Sequence, residues 1–177
     1  MTRDYDIIVW GASGFTGKLV TAYLATEQAA SNLKWAVAGR NVEKVRQTLG
    51  EYDIPIIQAD SEDQASIEAL VQQTRVILTT VGPYARYGSG LVAACAAHGT
   101  HYCDLTGEVH WMREMISAHQ TSAVASGARL VHTCGFDSIP SDIGVYFLQQ
   151  QMLAKHGVPA QQIKFRLRGT SGGVSGG

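Results

Sequence analysis

Three glycines at three-residue spacing, Gly11, Gly14 and Gly17, sit between an apolar run, Tyr5–Trp10, and a stretch from Lys18 whose apolar residues recur at helical spacing. Strand, glycine turn, helix is the context in which such a pattern binds a nucleotide phosphate. The first amides of a helix have no partner within it and its dipole is positive there, so an anion is attracted. Gly11 permits a sharp turn, Gly14 a close approach of backbone to a pyrophosphate, and Gly17 close seating of the helix. Cofactor contacts are therefore expected from Gly11, Ala12, Ser13, Gly14, Phe15, Thr16 and Gly17. The spacing is GxxGxxG rather than GxGxxG, and the alternative is a tight turn that binds nothing.

The next residues with chemistry follow the later apolar runs. Gly39-Arg40 stands where NAD-binding folds carry an acidic residue for the ribose 2′-hydroxyl. A glycine there repels no phosphate and a guanidinium can grip one bidentately, which favours NADP over NAD. Asp60 could accept a hydrogen bond from an adenine amino group, or serve only its turn. Val81-Gly82-Pro83-Tyr84 falls beside the expected crevice, where Gly82 would admit a cofactor and Tyr84 offers a ring and a hydroxyl. A half-exposed turn tyrosine is the plainer alternative.

Asp104, Thr106, Gly107 and Glu108 form a second polar group. They could act as acid, base or substrate anchor, or cap the helix that follows. Asp137 is the better candidate in Gly135–Asp142, since Ser141 and Asp142 are explained as helix-start residues. His98, His101 and Cys103 lack a fourth ligand and finger spacing, so no metal is expected. Cys134 could be a nucleophile beside His132, but a buried structural cysteine is the preferred reading. No Tyr-x-x-x-Lys, Gly-x-Ser-x-Gly or Walker run occurs, so no catalytic residue is assigned.

Positioning these residues requires alternating elements. Strands are expected at about 6–10, 35–38, 54–59, 75–81, 101–105 and 128–133. Helices are expected at about 15–27, 42–49 (capped by Asn41), 61–73 (capped by Ser61), 88–98, 109–126 and from Ser138 or Ser141 to Lys155. Strands joined by helices run parallel, which gives an α/β, doubly wound parallel sheet of Rossmann type with its crevice at the carboxyl strand ends. Gln162–Arg168 alternates like a strand of another kind, and a glycine-serine run follows. The expected division is a nucleotide-binding domain over 1–158 and, over 159–177, the start of a truncated second domain or a flexible tail.

The 177 residues are 45% hydrophobic and 16% charged, which describes a globular chain with a real core. A net charge of −1 gives no sign of nucleic acid as a partner. No run has membrane-spanning length, and the opening lacks a secretory core. Three cysteines form no disulfide framework, so a reducing, cytoplasmic setting is expected.

Together, Ile7–Gly17, Ala38–Arg40, Val81–Tyr84, Tyr102–Glu108 and Cys134–Asp142 resemble the saccharopine dehydrogenase-like oxidoreductases, in the branch that includes trans-acting enoyl reductases. The resemblance implies an N-terminal NAD(P)-binding domain, with Gly11, Gly14, Gly17 and Arg40 matching the cofactor motif. Family members continue into a second α/β domain that helps form the substrate site, so the chain reads as an N-terminal fragment. The expected function is NADP-dependent hydride transfer with a small-molecule substrate. A second copy, joined through the absent domain, is an option. The alternatives are a non-catalytic NADP(H) sensor and a semialdehyde or acyl-phosphate reductase using Cys134.

Overall fold

The computed structural model describes residues 3–27, 32–166 and 169. Six strands, β1 (Tyr5–Trp10), β2 (Trp35–Gly39), β3 (Ile56–Gln58), β4 (Thr74–Thr79), β5 (His101–Cys103) and β6 (Leu130–Val131), form one sheet in the order β3-β2-β1-β4-β5-β6. Every neighbouring pair is parallel. The helices are α1 (Phe15–Glu27), α2 (Val42–Leu49), α3 (Gln64–Gln73), α4 (Tyr84–Tyr87), α5 (Ser89–His98), α6 (Val109–Ser126) and α7 (Ile139–His156). The strand order reverses between β1 and β4, which is where a doubly wound sheet opens its ligand crevice.

Alternation along β1 divides the core. Ile8 and Trp10 face a cluster with Ile67 and Leu70 of α3, Leu91 of α5 and Trp111 of α6. Val9 faces the other side with Val37, Val45 and Leu49, beneath α2. Period-two side-chain placement on a sheet covered from both sides produces this split. The register Val9↔Val37 and Val9↔Leu78 keeps apolar residues level across the three central strands.

The local signals act largely as expected. Asn41 caps α2 by accepting from the Lys44 amide at 2.9 Å. Gly50, Gly99, Gly127 and Gly157 follow helix ends at positive φ. Four expectations need correction. Asp63, not Ser61, caps α3, because its Oδ1 accepts from the Ala65 amide at 3.0 Å. β3 is shorter than 54–59 and begins after Pro55, which has no N–H to donate. Ser138 stands at the start of α7, but its hydroxyl makes no cap bond. Residues 162–166 form no strand, and the last two positions of the expected strand lie outside the described residues.

Two features have no local signal in the sequence. The Arg3 guanidinium donates to Val71 O at 2.6 Å and His98 O at 2.7 Å. It thereby neutralises carbonyls near the C-terminal ends of α3 and α5, where cations are favoured. In α7 no residue of eighteen is buried, although Ile143, Tyr146 and Phe147 are each more than half exposed. Among the described residues no helix is long and apolar enough to cross a membrane.

Candidate nucleotide-binding site

β1 delivers the chain to the glycine turn at its carboxyl end. Gly11 has φ +97°, and a Cβ there would come within 2.7 Å of Thr80 Oγ1. A Cβ on Gly17 would overlap the Gly11 carbonyl, with its carbon at 2.7 Å and Ala12 Cα at 2.9 Å. The turn's own geometry therefore demands both glycines. Gly14 differs: its Cβ would meet only Gly11 O, at 3.3 Å. Gly82 differs likewise, with the Tyr84 ring at an ordinary 3.5 Å. The fold does not require glycine at these two places, and close approach of an external group does. Phe15 and Thr16 open α1, with Phe15 69% exposed. The first amides of α1 thus face outward at the β1 end, the arrangement that receives an anion.

Arg40 follows β2 and is exposed. Its carbonyl accepts from Gln58 Nε2 at 3.4 Å, while its guanidinium has no partner among the described residues. Arg40 and Asp60 line one hollow of about 380 Å³ with Gln58, Asp63 and Ser66. Asp60 is partly committed to its own turn, since Oδ1 accepts from the Glu62 amide at 3.0 Å. The two sequence candidates at the ends of β2 and β3 therefore share a site, and a cation in it is free to meet a phosphate.

At the end of β4 the arrangement is different. The Tyr84 ring is buried, not half exposed, and its hydroxyl donates to Thr79 O at 3.1 Å. Burial pushes its phenol up to about 12. Val81, Gly82 and Pro83 line the edge above this ring, with Thr79 Oγ1 accepting from the Val81 amide at 3.2 Å. The Glu108 carboxylate accepts from the Tyr84 amide at 2.7 Å and the Ala85 amide at 2.8 Å. Glu108 thus caps α4, a helix 24 residues upstream of it, and not the helix α6 that it precedes.

Asp104 is the hub of the β5 and β6 ends. Its buried carboxylate accepts from Tyr102 Oη at 2.7 Å, the Thr133 amide at 2.9 Å and the Thr106 amide at 3.1 Å, and pairs with His132 Nδ1 at 2.7 Å. Burial alone would raise its pKa, but these hydrogen bonds outweigh burial and hold the carboxyl below its ordinary value. Thr106 extends the network, because its Oγ1 accepts from the Glu108 amide at 3.0 Å. Loops after β4, β5 and β6 are so joined by one set of bonds. Asp104 has no capacity left for a ligand, while His132, singled out in the sequence only as a neighbour of Cys134, brings an unengaged Nε2.

The remaining candidates go elsewhere. His98 Nε2 pairs with Glu68 Oε2, and His101 Nδ1 accepts from the Arg129 amide at 3.1 Å. Burial pushes the Cys103 thiol up to about 12. Cys134 is exposed, which corrects the reading of it as buried. Desolvation and the Asp104 charge raise its pKa, which disfavours the thiolate a nucleophile needs. Gly107 and Asp137 are exposed, and Ser141 and Asp142 lie in the first turn of α7.

Comparison with known proteins places this geometry among relatives. The family model described as the saccharopine dehydrogenase NADP binding domain matches residues 7–131. The trans-acting enoyl reductase of Mycobacterium leprae (strain TN) is 46% identical over 156 residues, covering 85% of this chain and 37% of that protein. The trans-acting enoyl reductase of Mycobacterium tuberculosis (strain ATCC 25618 / H37Rv) is 47% identical over 154 residues, covering 84% and 36%. The chain therefore spans well under half the length of these curated relatives. Among solved structures, saccharopine dehydrogenase (L-Glu forming) from Saccharomyces cerevisiae has a TM-score of 0.68 at 18% identity, covering 86% of this chain and 32% of that one. Citrobacter sp. triphenylmethane reductase complexed with NADP(H) has a TM-score of 0.56 at 19% identity, covering 84% and 54%. At such identities these two matches establish the fold.

Proposed function

Because the chain belongs to the saccharopine dehydrogenase NADP-binding domain family, we propose that it is the cofactor-holding part of an NADP-dependent reductase. One observation carries the reading: an unpartnered Arg40 guanidinium at the end of β2, in a hollow on the same sheet edge as the exposed start of α1. In this reading the amides of residues 11–17 hold the pyrophosphate, with Gly14 leaving room for it. Arg40 grips the 2′-phosphate, and Asp60 stands toward the adenine. Val81, Gly82 and Pro83 form the shelf at the nicotinamide end. Tyr84 supports that shelf from below, held by Glu108.

Bound NADPH supplies a hydride, and the protein orients the acceptor and excludes water. The relatives' name points to the acceptor as a small molecule with a carbon–carbon double bond conjugated to a carbonyl. Residues 1–158 serve as the nucleotide-binding domain, and 159–177 lead into a second α/β domain that completes the substrate site. We place the reaction in the cytoplasm, with a second copy joining through that further domain.

The test is cofactor affinity in the full-length protein. Arg40→Ala is expected to weaken NADPH by about 10- to 100-fold, the loss of a charge-assisted hydrogen-bond pair of roughly 1.5–3 kcal/mol. NADH affinity should stay within about twofold. Equal losses for the two cofactors would remove the 2′-phosphate role.

A further inference from the structure

We propose that His132, held by Asp104, is the proton donor of the reduction, a catalytic role that rests on the hydride-transfer reading above. A double bond that accepts hydride also needs a proton, and the turn, Arg40 and the 81–83 shelf offer no acid. His132 has the required construction. Its side chain is only 8% exposed, and Nδ1 lies 2.7 Å from an Asp104 oxygen that is fully buried. The ring stands edge-on to Tyr102 at 5.6 Å and to Trp111 at 5.2 Å, so it cannot swing. With Nδ1 fixed on the carboxylate, Nε2 is the free nitrogen, with no hydrogen-bond partner among the described residues. His132 lines a cavity of about 100 Å³ whose other walls include Met115, Gln120 and Leu130.

An imidazole oriented by a buried carboxylate, with its second nitrogen open to a cavity, is the arrangement of a positioned acid or base. Its place also fits. His132 follows β6 and Asp104 follows β5, both at carboxyl strand ends. One indole separates His132 from the cofactor shelf, since Trp111 also lies 5.7 Å from the Tyr84 ring. The titratable groups packed against the imidazole are Asp104 and Tyr102. Burial raises the Tyr102 phenol far out of the working range, so it stays neutral. Trp111 and Met115 from α6 bring no charge, and Cys134 lies two residues on.

In the reduction, the β-carbon of the conjugated double bond takes hydride from NADPH, which is oxidised, while the substrate is reduced. The Nε2–H bond of the imidazolium breaks and a C–H bond forms at the α-carbon. The neutral imidazole keeps its Nδ1–H on Asp104 and regains a proton from water.

The experiment uses full-length protein, NADPH and the crotonyl thioester of N-acetylcysteamine as probe. His132→Gln and His132→Asn are each expected to bind NADPH within about threefold of wild type. Both should lose at least about 100-fold in kcat, together with the alkaline limb of the kcat–pH profile. Imidazole added to His132→Ala should restore turnover in proportion to its concentration. Without cofactor, nitrogen NMR should find neutral His132 protonated at Nδ1, and Asp104→Asn should shift that tautomer. A variant within threefold of wild-type kcat, an unchanged alkaline limb, or an Nε2–H tautomer would overturn the assignment. Wild type that fails to bind NADPH would instead overturn the cofactor reading on which it rests.

Discussion

The two halves of the sheet treat their polar residues in opposite ways. At the ends of β1, β2 and β3 the chemistry is left open: α1 starts outward, Arg40 has no partner, and a hollow lies between Arg40 and Asp60. At the ends of β4, β5 and β6 the carboxylates are used up on the protein itself. Asp104 ties β5 to β6, and Glu108 ties the β5 loop to the start of α4. The first half is built to receive charge from outside. The second is built to hold three loops in fixed relation, leaving one imidazole nitrogen free. A ligand site needs both, since unpartnered donors without a rigid frame would lose their affinity to ordering entropy.

The contrast is most easily broken at the turn. Gly17→Ala forces a Cβ onto the Gly11 carbonyl, so both folding and NADPH binding should fail, read as a lost cooperative melt. Gly14→Ala separates the two roles. Thermal stability should hold within about 1 kcal/mol while NADPH affinity falls tenfold or more by fluorescence titration. A stability loss as large as that of Gly17→Ala would mean that the fold, not the ligand, demands Gly14.

In the closed half, Glu108→Ala strips the acceptor from two amides. A loss of about 1–3 kcal/mol is expected by chemical denaturation, with Glu108→Gln intermediate. Asp104 makes the pH test. Its pKa is lowered in the fold, so its contribution is complete above the unfolded value and drains away as pH falls below about 4 toward the folded value. Wild type should therefore lose stability more steeply than Asp104→Asn over that acid range. Equal slopes would show that the hub bonds do not favour the carboxylate. The smallest effect belongs to the open half. Arg40→Ala should change stability by less than about 0.5 kcal/mol, because its guanidinium supports nothing in the fold.

The open half was legible in the sequence because its signals are local. Gly11, Gly17, Asn41 and Arg40 each act within a few residues of their own position, and backbone rules reach that far. The closed half was legible only as a set of candidate carboxylates. Asp104 and Thr133 are 29 residues apart, and Glu108 caps an amide 24 residues upstream. No spacing rule links such pairs; only the sheet order brings them together. His132 was hidden for the same reason, since its partner stands on the neighbouring strand end. Cys134 misled because a thiol in an apolar run reads as core, whereas β6 is two residues long and ends before it.

α7 bears on the order in which the molecule assembles. An 18-residue helix with none of its side chains buried gains little from packing, and isolated helices near this length are marginal in water. The sheet through β6, by contrast, encloses two apolar clusters drawn from α2, α3, α5, α6 and the strands. As the chain leaves the ribosome, the cofactor half can close its core while α7 still flickers. The nucleotide cradle is thus formed early, and the Ile143, Tyr146 and Phe147 side chains wait for a surface to cover them before that helix is fixed.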